Sequence, residues 1–389
     1  MRTIVDVSTS VRYIGRNAVG IVRTEREIAR YAIFNIENTE LVYFDRETQD
    51  FRNVAKNTLL LMIPDISESN NQNIRNASEA ERLFLFQDDD VFISAGLQWD
   101  IDFISAVYHK KMQINITFVQ IVYDIIPIIM PEYCVPGMDV LFPKFIMDTA
   151  WTADIIYAIS DATKRDLESF VATLQTRNRP SVRKITLGCD IPPDTTNKAE
   201  NLDLRSGKYV LYVSTIEPRK NHKILFDAWR EISNHPNIDL PDLVFVGNTG
   251  WNTSDLISMI ESCPRLFPDK IKILNNVSDG TLEWLYNNAL FTVYPSLYEG
   301  WGLPIAESLA RGTPCIASST SSMPEVAEGL CELLSPYDGV GWQAKIADYI
   351  SNPEILRNLR SDIKSNYRIK TWKSAMIDFY SDLHAVVRA

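Results

Sequence analysis

Short apolar runs alternate with amphipathic helical patterns along most of this 389-residue chain. Residues 3–7 form the first apolar run, and residues 20–33 follow with apolar side chains at helical spacing. Such alternation is typical of parallel sheets, because each parallel strand needs a crossover connection that packs back on the sheet. The sequence therefore predicts an α/β fold.

The α/β pattern occurs in two successive series. Residues 189–208 separate them with Pro192, Pro193 and a polar stretch that has no apolar periodicity, as expected of an interdomain linker. We predict an N-terminal domain over residues 1–190 and a C-terminal domain over residues 205–371. The last helix, at about residues 372–389, is expected to pack back on the first domain.

Each series predicts a Rossmann-like domain, with ligands bound in a central cleft at the carboxyl ends of the strands. In the first series, further strands are predicted at residues 59–63, 90–94, 117–123 and 154–159, with helices at 142–152 and after Ser160. In the second series, strands are predicted at residues 208–214, 242–246, 271–274, 290–294 and 314–318, with helices at 222–232, 281–288, 304–310 and from 353.

Charge and residue usage exclude several functions. The chain has 39 basic and 50 acidic residues, which argues against a general nucleic-acid binder but still allows a local basic pocket. The five cysteines and four histidines show neither disulfide nor metal-ligand spacing, so no metal site is predicted. The N-terminus does not resemble a signal peptide, and the apolar stretches are interrupted by polar residues, which indicates a soluble, cytoplasmic protein.

The segment from Tyr294 to Glu307 carries the clearest chemical signal. A predicted strand ends in a loop with Gly300 and Gly302, and Pro304 follows where a helix should begin. Glycines let backbone N–H groups approach a ligand, and a helix N-terminus attracts phosphate. Glu299 and Glu307 flank this loop and are suited to accept hydrogen bonds from sugar hydroxyls. Two glutamates eight positions apart also occur by chance, but here the surrounding loop and helix favour a diphosphate-sugar site.

The sequence EGWGLPIAESLARGTPCIAS resembles the paired-glutamate signature of retaining glycosyltransferases of family 4, which have the GT-B fold. Residues 212–221, with the motif EPRKN, resemble the phosphate-binding loop of that family. Residues 159–167 and 321–326 resemble two further family segments. The resemblance extends over about residues 18–375 and is more specific in the C-terminal half.

The resemblance implies a role for each matching residue. Glu299 would contact the donor sugar and Glu307 the nucleotide ribose, while Arg219 and Lys220 would neutralise the diphosphate. Taken alone, Arg219 and Lys220 would favour the interpretation as an exposed surface pair. Many family members have a glycine and an arginine where this chain has Ser214 and Thr215, so the arginine role is assigned to Arg219. The donor-binding set is predicted to be Gly20, Ser214, Arg219, Lys220, Gly247, Val277, Glu299, Gly300, Trp301, Gly302, Leu303 and Glu307.

The N-terminal half contributes two weaker candidates. Gly20 resembles the glycine-rich turn of the family but fits an ordinary helix start equally well. Asp124 follows the best central strand, where relatives often have His-Asp and this chain has Tyr123-Asp124. It is predicted to orient the acceptor hydroxyl or the donor sugar, and the alternative is an aspartate that caps the following turn. The predicted catalytic set is Glu299, Asp124, Arg219 and Lys220.

We therefore predict a retaining, metal-independent hexosyltransferase that uses no cofactor. Its donor is expected to be a nucleoside diphosphate sugar, GDP-mannose by motif resemblance, with a rhamnosyl, fucosyl or UDP-sugar transferase as alternatives. The acceptor would be a growing surface glycan or a lipid-linked one, with peripheral membrane association or a complex with other glycan-assembly enzymes. A non-catalytic nucleotide-sugar-binding subunit is the alternative of another class. A dehydrogenase is disfavoured because no GxGxxG follows a strand.

Overall fold

The computed structural model of the chain describes residues 1–15, 20–63, 71–75, 77–99, 102–174, 179–190 and 202–388. The chain divides into two compact units. The first contains Met1–Gly188 and Thr371–Ala389, and the second contains Cys189–Lys370. Most of the predicted linker lies at residues 191–201, outside the described residues.

The first unit contains a seven-stranded sheet in the order β3-β2-β1-β4-β5-β6-β7, parallel except for the β2–β3 pair. The strand order reverses between β1 and β4, and ligands of open α/β sheets bind at such a switch point. The strands are β1 Thr3–Asp6, β2 Thr39–Asp45, β3 Asp50–Asn53, β4 Val91–Ser94, β5 Thr117–Val122, β6 Ile155–Ala158 and β7 Ser181–Lys184.

Helices connect these strands and bury their apolar faces against the sheet. The start of α8 is confirmed as predicted, because the Ser160 hydroxyl accepts a hydrogen bond from the Thr163 N–H and caps the helix. The helices of this part are α1 Ser8–Arg12, α2 Gly20–Asn35, α3 Lys56–Met62, α4 Gln72–Arg75, α5 Phe103–Lys111, α6 Ile126–Ile129, α7 Met138–Thr152 and α8 Asp161–Thr173.

The strand predicted at residues 59–63 is wrong, since this run belongs to helix α3. Leu59 and Met62 are buried one helical turn apart, whereas Leu61 between them is 66% exposed. Leucine and methionine are strong helix formers, and the β-branched residues that favour strands are absent from residues 59–62. The pattern analysis also missed strands β2 and β3, whose polar residues mask the alternation.

The second unit contains six parallel strands in the order β10-β9-β8-β11-β12-β13, with its switch point between β8 and β11. The predicted strands and helices of this unit are confirmed to within a few residues at their ends. The elements are β8 Tyr209–Val213, α9 His222–Ile232, β9 Asp242–Val246, α10 Ser254–Glu261, β10 Ile271–Leu274, α11 Asp279–Asn288, β11 Phe291–Tyr294, α12 Leu303–Ala310, β12 Cys315–Ser318, α13 Met323–Ala327, β13 Glu332–Leu334, α14 Gly339–Ser351 and α15 Pro353–Asn366.

The final helix, α16 Trp372–Val387, is part of the first unit. Its Tyr380 hydroxyl donates a hydrogen bond to the Ile28 carbonyl of α2, 3.0 Å away. Asp382 accepts hydrogen bonds from Arg183 of β7 and from the Tyr157 hydroxyl of β6. The helix is therefore held by both apolar packing and polar contacts with the residues it covers.

Gly188 determines how closely the chain approaches the start of α16. A Cβ atom at this position would lie 2.4 Å from the backbone nitrogen of Trp372, a separation that backbone atoms cannot adopt without moving. We predict that Gly188→Ala destabilises the first unit by about 1–3 kcal/mol, as overpacking does in other cores. The measurement is the urea midpoint followed by tryptophan fluorescence.

Gly339→Ala is the matched control, because a Cβ at Gly339 has open space around it. Equal urea midpoints for the two variants would contradict the close approach at Gly188.

Candidate functional site

The loops that follow β8 and β11 are fastened together in the second unit. The Leu297 N–H donates a hydrogen bond to the Arg219 carbonyl over 2.9 Å. The Asn221 side-chain amide donates to the Pro295 carbonyl at 3.2 Å. Because β8 and β11 are neighbours in the sheet, their carboxyl ends bring these two loops to the switch point. Residues about eighty positions apart in sequence thereby share one site.

Four charged side chains form a compact cluster at this point, the donor-side charge cluster: Glu217, Arg219, Lys220 and Glu299. Lys220 Nζ lies 2.7 Å from Glu299 Oε1, and Arg219 Nη1 lies 3.1 Å from Glu299 Oε2. Arg219 Nη2 also donates to Glu217 Oε1 at 2.5 Å. All four side chains are at most 14% exposed. The charges of two cations and two carboxylates therefore balance in a site with little exposure to solvent.

Burial and charge act in opposite directions on these groups. Burial alone would raise the pKa of Glu299, but Lys220 and Arg219 outweigh it and lower the pKa to about 2. Burial lowers the pKa of Lys220 in spite of the attraction of Glu299. Burial raises the pKa of Glu217, and Arg219 opposes that rise. Glu299 is ionised at neutral pH and acts as a hydrogen-bond acceptor.

Serine side chains of the segment after β12 hold the loop that carries Glu299. The Ser322 hydroxyl contacts the Glu299 and Trp301 carbonyls at 2.9 and 2.6 Å, and the Glu299 N–H donates to the Ser321 hydroxyl. Gly302 has a φ of 121°, which favours glycine, and precedes the first residue of α12. The helix begins at Leu303, so Pro304 is its second residue, whereas the sequence predicted Pro304 as the first. The loop thus leads directly to a helix N-terminus, where anions bind well.

Glu307 lies within α12 and is nearly buried. The Tyr286 hydroxyl donates a hydrogen bond to Glu307 Oε2 at 2.8 Å. This contact fixes one carboxylate oxygen from the neighbouring helix α11, a partner that the sequence analysis did not identify. The ribose contact assigned to Glu307 stays a prediction.

Gly247 and Ser214 lie side by side at the ends of β9 and β8. Gly247 has a φ of 152°, and a Cβ there would lie 2.1 Å from the Ser214 carbonyl oxygen, so only glycine fits. The Ser214 hydroxyl lies 3.3 Å from Nε2 of His222. Burial lowers the pKa of His222 to about 3 and keeps the imidazole neutral. Val277 follows β10 and packs against the smaller core cluster of this unit.

Gly20 and Asp124 lie in the first unit, at the start of α2 and after β5 respectively. Asp124 Oδ1 accepts a hydrogen bond from the Ile126 N–H at 2.9 Å, which is the turn-capping arrangement that the sequence left open. The hydroxyl of Tyr123 donates to the Ala95 carbonyl at 2.6 Å. The catalytic role of Asp124 and the donor contact of Gly20 stay predictions.

Sequence reasoning missed a buried polar network at the switch point of the first sheet. Asp6 Oδ2 accepts hydrogen bonds from Ser94 and from Gln98, at 3.0 and 2.5 Å. Glu25 Oε1 accepts one from the Ser10 N–H at 2.5 Å. A Cβ at Gly96 would lie 2.2 Å from Glu25 Oε2, so any larger residue would displace this carboxyl group. An acidic residue at the end of β1 and another on the buried face of α2 were the available signals.

Both carboxyl groups of this network resist ionisation. Burial raises the pKa of Asp6 and that of Glu25, and repulsion between the two raises the latter further. Oε2 of Glu25 has no hydrogen-bond partner among the described residues. Folding therefore favours a proton on Glu25 at pH values where the unfolded chain has lost it.

This proton linkage predicts a pH-dependent stability. Since burial raises the folded pKa of Glu25 from 4.5 to about 8, the contribution of this group to stability is complete below pH 4.5 and is lost as the pH rises toward 8. Relative to the wild type, Glu25→Gln should flatten the decline by at most about 1.4 kcal/mol per pH unit. Urea unfolding at several pH values between 5 and 7 measures the difference.

Glu168→Gln, on the exposed pair with Lys164 of α8, is the control and should keep the slope of the wild type. Parallel pH profiles for the wild type and Glu25→Gln would refute a proton held at this site.

Two Rossmann-like units, each with a strand-order switch point in its sheet, have the architecture of the GT-B fold. Solved structures confirm this fold. HepE from Anabaena, crystallised with UDP and glucose, matches with a TM-score of 0.67 at 16% identity, over 99% of this chain and 100% of its own. Sucrose-phosphate synthase from Thermosynechococcus elongatus matches with a TM-score of 0.65 at 16% identity, over the same shares.

Residues 194–368 match the family described as Glycosyl transferases group 1. The match lies within the second unit and confirms the family resemblance found in the sequence. O-antigen chain mannosyltransferase B of Escherichia coli is 29% identical over 62% of this chain and 60% of its own length. The serotype-specific mannosyltransferase WbdA of the same species is 27% identical over 64% of this chain and 32% of its own length.

The chain therefore matches less than two thirds of the length of these relatives. None of the helices in the described part of the chain is both long and apolar enough to cross a membrane.

Proposed function

We propose that this protein is a retaining hexosyltransferase that transfers mannose from GDP-mannose to a growing surface glycan or a lipid-linked acceptor. The donor-side charge cluster at the switch point of the group 1 domain carries the proposal, since it combines cations for a diphosphate with an ionised acceptor for sugar hydroxyls. The choice of mannose rests on the similarity to O-antigen mannosyltransferases.

The charge balance of the cluster suggests how it would respond to a donor. Lys220 and Arg219 are engaged by Glu299 in the structure. A diphosphate would compete with Glu299 for these cations, because phosphate oxygens attract Lys and Arg strongly. The N-terminus of α12 would add its partial positive charge. Glu299 would then have lone pairs available for the hydroxyls of the sugar.

The chemistry follows from the ionisation of Glu299. A carboxylate paired with two cations is a poor nucleophile, so we assign it to hydrogen bonding and orientation. The C1–O bond to the diphosphate would break as the acceptor oxygen bonds to the same face of C1. The proton of the acceptor hydroxyl would pass to the departing phosphate oxygen, and the configuration at C1 is retained. The cations stabilise the charge on the leaving group.

We place the acceptor on the first unit. Asp124 follows β5 there, and the buried network of Asp6 and Glu25 lies at the switch point of the same sheet. Transfer to a lipid-linked glycan would occur at the inner face of the membrane. A complex with other glycan-assembly enzymes is part of the same proposal.

Glu299→Gln tests the site assignment. The amide has the size of the carboxyl group but lacks its charge, so turnover should fall about 100-fold or more. Affinity for the nucleoside diphosphate should be retained or tightened, because Lys220 and Arg219 lose a competing carboxylate. Product release from GDP-mannose and calorimetric titration with GDP measure the two quantities.

Glu354→Gln is the matched control, because Glu354 pairs with Arg357 on the exposed surface of α15, outside the charge cluster. Near-normal turnover of Glu299→Gln would refute the assignment of this glutamate.

A nucleotide panel tests the donor. Under the proposal, GDP raises the unfolding temperature more than UDP, dTDP or ADP does, since a ligand that binds only the folded state stabilises it. GDP-mannose should then be consumed in the presence of acceptor glycan. Stabilisation by UDP or dTDP alone would show that the donor is a UDP-sugar or dTDP-sugar and not GDP-mannose. Stabilisation by no nucleotide would overturn the transferase proposal.

A further inference from the structure

Glu217 lies in a segment of backbone that the sheet holds firmly. The Ile216 N–H donates to the Asn248 carbonyl at 2.9 Å, and the Gly250 N–H donates back to the Ile216 carbonyl at 2.8 Å. A Cβ at Gly250 would lie 2.9 Å from that carbonyl oxygen, so the glycine permits the contact. The Glu217 side chain is only 3% exposed. Its position therefore depends little on solvent or on rotamer freedom.

Arg219 stands between two carboxylates. Its Nη2 donates to Glu217, while its Nη1 contacts Glu299 Oε2 and donates to the Tyr298 carbonyl at 2.6 Å. An arginine fork prefers to engage one carboxylate through two parallel hydrogen bonds. The hydrogen bond from Nη2 to Glu217 leaves only Nη1 of Arg219 in contact with Glu299.

We infer that Glu217 is a positioning residue that orients Arg219 toward the terminal phosphate of the nucleoside diphosphate leaving group. The inference rests on the proposed function and extends it to a residue that makes no direct contact with the donor. Without the carboxylate of Glu217, the guanidinium swings to a bidentate pair with Glu299. The terminal phosphate then loses an arginine contact, and Glu299 loses lone pairs for the sugar.

The energetics of the pair agree with this role. An arginine held in place gives up less conformational freedom when it binds a ligand. A carboxylate with a buried cationic partner is also costly to lose, because the cation loses part of its charge compensation. Lys220 has a separate contact with Glu299 and keeps its position when Glu217 changes.

The test compares a nucleoside diphosphate with its monophosphate, because only the former carries the terminal phosphate. With GDP and GMP as probes, Glu217→Gln should weaken GDP binding about tenfold or more, the scale of a charged hydrogen bond. GMP binding should change by less than about twofold. Glu217→Asp, which keeps the charge, should recover part of the GDP preference.

A double-mutant cycle with Arg219→Lys shows whether Glu217 acts through Arg219. If it does, Glu217→Gln has little further effect on GDP binding in the Arg219→Lys background. Glu354→Gln is again the control, and thermal unfolding checks that each variant is folded. A merely structural role would weaken GDP and GMP binding equally.

An unchanged ratio of GDP to GMP affinity in both Glu217 variants would overturn the inference, as would additive effects in the cycle. Either result would leave the transferase proposal intact. Binding of no nucleoside diphosphate by the wild type would instead overturn the proposed function, and the inference with it.

Discussion

The parallel order of the second sheet is the constraint on which the donor-side chemistry depends. Because β8 and β11 are neighbours and point the same way, the loops after them meet at one edge. Arg219 and Lys220 come from the first loop and Glu299 from the second. One main-chain hydrogen bond and the side chains of Asn221 and Arg219 join the loops, so the charge cluster is a consequence of strand order.

Buried charge explains why the four side chains of this cluster pair with one another. Taking four charged groups out of water is expensive unless each has a partner, and here the cations and carboxylates compensate one another. A net charge of −11 on the whole chain does not prevent two cations from lying together at this point, because ion pairing acts locally.

The first sheet has a related topology but a different electrostatic environment at its switch point. Hydroxyl and amide groups surround Asp6 and Glu25, where Arg219 and Lys220 surround Glu299. Burial therefore raises the pKa of the first pair, whereas ion pairing lowers that of Glu299. The switch points of the two sheets thus favour opposite ionisation states for their buried carboxyl groups.

From the sequence alone we predicted the α/β class, most elements of the second unit but not α10, α13, β13 or α14, and the local motif from Glu299 to Glu307. These depend on nearby residues: apolar periodicity, glycines and a helix start are visible in a short window. The strand predicted at residues 59–63 was wrong because leucine runs occur in both strands and helices. Only the burial of Leu59 and Met62 at helical spacing shows that this run is a helix.

Only the tertiary structure decided which distant residues meet. The sequence placed Arg219, Lys220 and Glu299 in one site through family resemblance. Their ion pairs, the Tyr286 contact to Glu307 and the position of Glu217 behind Arg219 required the fold. The buried pair of Asp6 and Glu25 was missed for the same reason. Desolvation and ion pairing depend on what surrounds a side chain, and those surroundings come from segments far apart in the chain.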